Sequence, residues 1–455
     1  MAHVISDLSK YVIVFFMALY TLLSFVCMRE KDEDDRGWIY AQQIICMFMV
    51  HFLGFAAICL ETSDISYIIF YGFQQILLFA TIALYRVIYP EAGKLIINNM
   101  CMLLTVGFVI LTRISYEKSI KQFIIVTVSL IFGLFIPYLI KKLRILKHLT
   151  WLYGAVGVLL LVVVAVLGAV THGAKISYSI AGISFQPSEF VKILFVFFVA
   201  GMFEKSKSFF QVVITTIVAA VHVLTLVFSK DLGSALIFFI TYMVMLYVAT
   251  GKLYYLLGGG VCGVAAACVA YQFFSHIQVR IVAWQDPWNH IADEGYQITQ
   301  SLFAIGTGGW FGMGLYQGNP TAIPYVEQDF IFSAVAEELG VWFAICLILI
   351  CVSCFVSIML VAMKIKEGFY RYIAVGIGMV YITQVFLTIG GGTRFIPLTG
   401  VTLPFVSYGG SSVLATIIMF CVVIGLYCVK EQEGIKNAKK TRRRKTTGEE
   451  PEDEE

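Results

Sequence analysis

A chain of 455 residues that is 59% hydrophobic and only 13% charged, with 37 Phe, 24 Tyr and 38 Gly, is far from the balance of a soluble globular protein and places most of its length in lipid. The formal net charge of +3 is small, and the basic residues lie in short runs between apolar stretches instead of along one face, which argues against a nucleic-acid partner. All 11 cysteines, from Cys27 to Cys428, fall within or beside apolar segments and read as small hydrophobes; the C-x-x-C of Cys351 and Cys354 lies mid-run, without the context of a redox or metal motif.

Runs of roughly 20 apolar residues mark membrane helices. In chain order they fall near residues 11–28, 38–60, 65–88, 98–113, 122–140, 149–170, 188–203, 210–228, 232–249, 253–274, 330–361, 370–389 and 405–428, about thirteen in all. The first lacks a small-residue cleavage site and reads as a retained helix. The expected fold class is all-α, a polytopic transmembrane helix bundle.

Short basic connections fix an orientation. Lys141-Lys142-Leu143-Arg144-Ile145-Leu146-Lys147, Glu204-Lys205-Ser206-Lys207 and Lys364-Ile365-Lys366 belong in the cytoplasm by the positive-inside rule. Counting spans from them puts Arg86, Lys94, Lys252 and the tail from Lys430 inside, and residues 61–64, the loop 275–328 and the N-terminus outside. Residues 1–97 then form an extension of about three transmembrane helices, 98–429 a membrane core, and 430–455 a disordered cytoplasmic tail, basic at Lys439-Lys440 and Arg442-Arg443-Arg444-Lys445 and acidic over 449–455. The loop 275–328 is too long for a simple connector and reads as ordered and functional; its Trp284 and Trp288 also suit headgroup anchoring.

Ionisable residues at membrane depth are costly and so mark candidate sites. Glu189 and Lys192 open a short span after Gln186-Pro187-Ser188 and are i,i+3 neighbours, able to pair or to bind substrate. Asp231, where an outer turn becomes a helix, can cap that helix or line a groove. The series Gly306, Gly308, Gly309, Gly312, Gly314 and Gly318 has no G-K-[ST] and no preceding strand, so it lets backbone approach backbone or a headgroup and does not cradle a nucleotide. Asp329, at the outer start of Phe330-Ile331-Phe332 with Glu327 beside it, is either a helix cap or a general base with a raised pKa. Arg280 and Arg394, both outside, are the candidates for gripping a phosphate, and small residues around Ser407-Tyr408-Gly409-Gly410-Ser411-Ser412 favour close helix packing.

The order of these motifs resembles the FtsW/RodA/SpoVE family of SEDS proteins. Gln186-Pro187-Ser188-Glu189, Asp231-Leu232-Gly233, Gly295-Tyr296-Gln297 with Gln300-Ser301, Asp329-Phe330-Ile331-Phe332, Ala336-Glu337-Glu338-Leu339-Gly340 and Ser407-Tyr408-Gly409-Gly410-Ser411 look like its signatures, in its order, over roughly residues 98–430. The departures are Lys175-Ile176-Ser177-Tyr178 where an Arg-Trp is usual, Lys230 where the family has Pro, and Thr388 where it has Asn. The first three spans lie outside the family's usual ten-span core.

The resemblance implies a peptidoglycan glycosyltransferase of the bacterial plasma membrane that polymerises lipid II beside a class B penicillin-binding protein. It implies that Asp329 is the essential acid; Glu189, Lys192, Asp231, Arg280, Gln297, Ser407, Tyr408 and Gly409 are the candidates for binding substrate. No metal-ligand cluster is visible in the sequence, and a divalent cation, Mg or Mn, is a further expectation at the pyrophosphate. Two other classes fit the spans: a lipid II flippase, although no paired broken helices are expected, and a non-catalytic scaffold of the cell wall machinery.

Overall fold

In the computed structural model, which describes residues 2–171, 174–180 and 183–447, short polar breaks divide the apolar runs into helices. α1 (Ala2–Arg29) leads to α2 (Glu33–Thr62), where the Asp32 carboxylate accepts from the amides of Asp34 and Asp35, and to α3 (Ile65–Ile88), capped by Asp64. α4 (Lys94–Ile114) is followed by α5 (Tyr116–Gly133), capped by Ser115, then by α6 (Ile136–Lys142) and α7 (Thr150–Leu167). A three-stranded antiparallel sheet, β1 (Ala169–Thr171), β2 (Ala174–Ile180) and β3 (Ile183–Phe185) in that order, closes the end of α7 and adds to the expected helical architecture.

Pro187 takes the first position of α8 (Pro187–Lys205), where its missing N–H is not needed. α9 (Phe209–Phe228) and α10 (Leu232–Thr250) follow, the second ending at Gly251 in the left-handed region. α11 (Leu253–Phe273), with no buried residue, stands at the periphery beside α10. The expected outer loop is largely folded, holding α12 (Ser275–Gln285) and α13 (Tyr296–Gly308). α14 (Ile331–Lys364), α15 (Gly368–Gly392) and α16 (Gly410–Thr447) complete the bundle.

Twelve of these helices are long and apolar enough to cross a membrane, so the chain is multi-pass. They account for twelve of the thirteen expected spans. The remaining one is α8, whose Glu189, Lys192, Glu204 and Lys205 lower its apolarity. It nevertheless joins opposite ends of the bundle: Gln186 bonds to Asp231 and Ser411 at the starts of α10 and α16, whereas Glu204 packs on Gly368 at the start of α15.

Two expectations need correction. α16 continues as helix to Thr447, through the basic residues expected to be disordered, because Ala, Lys, Arg, Glu and Gln favour the helical backbone; residues 449–455 lie outside the described residues. α14, expected as one span, is broken at Gly340, where φ is 85° and ψ 170°. The break leaves a short half-helix over 331–339.

The extension is packed into the bundle and does not hang from it. α1 lies against α2 and α14, and α2 lies against α4, so that every residue from Leu95 to Thr112 of α4 is buried.

Candidate active site

At the end of the bundle where α8, α10, α14 and α16 begin, the segment 393–409 between α15 and α16 forms a common wall. The Ser407 hydroxyl donates to the Gln328 carbonyl at 2.5 Å, and the Tyr408 amide donates to the Glu327 carbonyl at 2.7 Å. Gln122 of α5 clamps the same turn, donating to the Ser407 carbonyl at 3.0 Å and accepting from the Gly409 amide at 3.3 Å. On the far side Gly233 packs directly on Thr399 and Val401, leaving no room for a Cβ. The Thr388 hydroxyl, where the family has Asn, donates to the Val401 carbonyl at 2.8 Å.

The charged pair of α8 is enclosed. Lys192 is fully buried, with its Nζ 2.9 Å from both Glu189 Oε2 and Gln384 Oε1. Gln384 passes the connection on, donating to the Thr402 carbonyl at 3.0 Å and to the Ser412 hydroxyl at 3.3 Å. Asp231 caps α10 through the Ser234 amide, and its other oxygen accepts from Ser188 at 3.1 Å and Gln186 at 3.3 Å. Lys230 sits at φ 64°, a conformation closed to the proline usual in the family.

Asp329 differs from all of these. Among the described residues no hydrogen bond or ion pair reaches its half-buried carboxylate, although its backbone amide is held by Tyr325. It does not cap α14 either, since Phe330 holds the cap position without a side-chain bond. Across Gly400, at φ 74°, stands Arg280 of α12: a Cβ on Gly400 would lie 3.8 Å from Asp329 Oδ2 and 3.9 Å from Arg280 Nη2. Arg280 Nη1 donates to the Leu398 carbonyl at 3.1 Å, leaving Nη2 toward the acid. Burial pushes the Asp329 carboxyl up to about 6, with Glu327 adding to the rise and Arg280 opposing it. Burial also lowers the Arg280 guanidinium, against the pull of Asp329 and Asp231.

The arrangement thus offers one free carboxylate with a pKa near neutrality and one guanidinium beside it. Glu327, the rival acid, is ion-paired to Lys118 of α5. Glu189, Lys192, Asp231, Ser407, Tyr408 and Gly409 are joined through backbone and side-chain bonds into the scaffold around this pair. Gln297, in the first turn of α13, is half-buried and shares no hydrogen bond with any of them. Arg394, expected to grip phosphate, is committed elsewhere. Its Nε and Nη2 donate to the carbonyls of Trp284 and Gln285 at 2.8 and 2.7 Å and close the C-terminus of α12. Trp284 answers by donating its indole N–H to the Arg394 carbonyl at 3.2 Å, which makes it part of this joint.

The glycine series and the A-E-E-L-G stretch serve the break in α14. The amides of Met313 and Gly314 donate to the freed carbonyls of Glu337 and Glu338, both at 2.9 Å, and the amides of Val341 and Trp342 donate to Gly309 and Trp310 at 3.0 and 3.2 Å. Glu338 pairs with Arg113 of α4 at 2.7 Å, and Glu337 accepts from the Asn319 amide at 2.8 Å. Sequence reasoning missed Gln122, Lys118 and Arg113; each is an ordinary polar residue near a helix end whose partner lies more than 200 positions away.

A protein-held divalent cation does not fit this donor set. Among the described residues no three His, Cys, Asp or Glu side chains converge, Asp231 already accepts from three donors, and Asp329 faces a guanidinium.

The sequence model of the cell cycle protein family FtsW/RodA/SpoVE matches residues 93–432. The chain is 32% identical over 360 residues to a peptidoglycan glycosyltransferase RodA of Mycobacterium leprae, covering 73% of this chain and 77% of that one. It is 31% identical over 280 residues to a probable peptidoglycan glycosyltransferase FtsW of Geobacter, covering 60% and 76%. Its fold is similar to a chain solved in a study of polymerization and crosslinking by a peptidoglycan synthase complex, with a TM-score of 0.64 and 23% identity, covering 75% of this chain and 99% of that one.

Proposed function

Since the chain belongs to the FtsW/RodA/SpoVE family of cell cycle proteins, we propose that it is a peptidoglycan glycosyltransferase that polymerises lipid II, with Asp329 as its general base. The activity is supported by relatives that carry that name at 31–32% identity. The observation that carries the residue assignment is the unpaired, desolvated Asp329 carboxylate beside Arg280.

In this reading Asp329 takes the proton of the acceptor's GlcNAc 4-hydroxyl as the oxygen attacks C1 of the donor MurNAc. The bond from C1 to the pyrophosphate oxygen breaks, and undecaprenyl pyrophosphate leaves with inversion at C1. A pyrophosphate leaving group needs no general acid. Arg280 offsets the charge that develops on it. Lys192, enclosed with Glu189 and Gln384, contributes by holding the wall in shape, and no step is routed through a divalent cation. Gln297 and Tyr408, both half-buried, are assigned to the sugars, while Ser407, buried with its hydroxyl bonded to the Gln328 carbonyl, holds the wall.

The bilayer in question is the bacterial plasma membrane, with the site outside and the C-terminus in the cytoplasm. A class B penicillin-binding protein is the partner, supported by the synthase complex from which the similar fold comes. Strand synthesis is expected to be slow for the isolated chain and to rise when that partner is added; equal rates with and without it would remove the partner from the reading.

The flippase alternative gains nothing from the break in α14. Transporters use such breaks to present bare carbonyls to an ion, and here the amides of residues 313 and 314 occupy them. The scaffold alternative leaves an unpaired, desolvated carboxylate without a task. Purified protein with labelled lipid II separates the three: strands mean polymerase, movement without strands means flippase, and neither means scaffold.

A further inference from the structure

The first three helices lie outside the match to the family, yet they reach the break in α14. Ile13 of α1 and Val50 and Gly54 of α2 line one small apolar void together with Leu315, Leu339 and Phe343. Leu315 follows the glycine loop that caps the half-helix, Leu339 ends that half-helix, and Phe343 starts the long segment beyond Gly340. At the outer end of α1, Tyr11 and Phe311 have ring centroids 5.3 Å apart, and Lys10 Nζ donates to the Met313 carbonyl at 3.4 Å.

A buried polar chain holds α1 and α2 in this position. Tyr20 donates to Asn99 at 3.0 Å, Gln43 to Ser24 at 3.0 Å, Asn98 to Gln43 at 2.9 Å, and Asn99 to Ser353 of α14 at 3.0 Å. In lipid such bonds act as glue, because the unfolded alternative is a bare polar group in hydrocarbon. The extension is thereby fixed both to α4 and to the long segment of α14, alongside the break at Gly340.

We infer that the N-terminal extension is a brace for the half-helix over 331–339, and that Ile13 and Tyr11 are positioning residues for the group two residues before it, Asp329. A half-helix of nine residues is a rigid rod of roughly 13 Å, held at its far end by the loop over 309–314 and at its near end by the wall at 403–408. Loosening the far end tilts the rod and displaces Asp329 relative to Arg280. This inference rests on Asp329 being the general base.

The test uses the full-length protein with its partner and lipid II, comparing wild type, Ile13→Ala, Ile13→Val, Tyr11→Ala and Asp329→Asn. Tyr11 is half-exposed, so its loss leaves the fold intact even if Ile13→Ala fails to fold. For the brace, kcat should fall on the order of tenfold in Ile13→Ala and severalfold in Tyr11→Ala, as misplacements below 1 Å do. KM should stay near wild type, the acid limb of the pH–rate profile should shift, and Ile13→Val should restore most of the rate. Wild-type kcat and an unmoved acid limb in Tyr11→Ala, and in Ile13→Ala where it folds, whatever the thermal stability, would overturn the brace. Full activity of Asp329→Asn would instead sink the base assignment, and the brace with it.

Discussion

A carboxylate that is desolvated and lacks a hydrogen bond is less stable ionised than in water, and the fold carries that penalty at Asp329. Its pKa is raised, so the stability it contributes is fully present below the ordinary carboxylate range and is lost as the pH rises through about 6. Catalysis runs the other way, because a base must be ionised: the rate should climb through an acid limb near pH 6. Arg280→Gln removes a cation that holds the value down, so its limb moves up; Glu327→Gln removes a like charge, so its limb moves down. Profiles of the three proteins check both signs, and a common limb for all three would assign it to another group. Asp329→Asn should lose about 10²–10⁴-fold of the rate. Because the side chain caps nothing and its ionised form is penalised by burial, both Asp329→Asn and Asp329→Ala should melt at or above the wild-type temperature once the pH exceeds about 6. The acid itself was legible as a charge at a helix mouth. That Glu327 is paired and Asp329 is not was hidden, because the cation that decides it is Lys118, 209 positions away.

Gly340 shows what a helix of uniformly apolar residues conceals. The run from 331 to 361 gives no periodicity from which a break could be read, and a glycine inside a span has many uses. The break becomes a requirement only when its partner loop is seen: a Cβ on Gly340 would meet the Gly312 amide nitrogen, the Phe311 carbonyl carbon and the Trp310 carbonyl oxygen. The glycine series was correctly legible as a place of close backbone approach, but not what it approached. Gly340→Ala combines a left-handed φ with a backbone clash and should cost about 3 kcal/mol or more. Gly306→Ala, with open space at its Cβ, should be close to neutral or slightly stabilising, since alanine favours the helix. Thermal unfolding in detergent compares the two; similar losses would show that the joint is looser than these contacts imply.

At the scale of the whole molecule, the basic loops gather at one end and the candidate site at the other. Lys141 pairs with Glu91 at 2.9 Å, Lys147 with Glu367 at 3.4 Å, and Glu433 accepts from the Lys366 amide at 2.8 Å, so the connections before α4, α7 and α15 lie together with the part of α16 around Glu433. Positive charge of this kind stays on the cytoplasmic side. The number of crossings then decides where the N-terminus lies, and it turns on α8. Twelve crossings would put both termini on the same side, whereas counting α8 gives thirteen and puts them on opposite sides. At 19 residues α8 measures roughly 28 Å, close to the hydrocarbon thickness of about 30 Å. Its charges are compatible with crossing because Glu189 and Lys192 neutralise each other inside the bundle and Glu204 and Lys205 sit at its last turn. The expected outcome is an N-terminus outside and a C-terminus inside. A reporter fused after Lys430 should be active only in the cytoplasm, and one at Ala2 only outside. A cysteine at position 318, on the site side, should react with an impermeant thiol reagent in intact cells, whereas one at position 366 should react only after lysis. Reporters that place both ends on one side would mean that α8 or one helix of the extension does not cross, and the position-318 label would then show whether the site still faces outward.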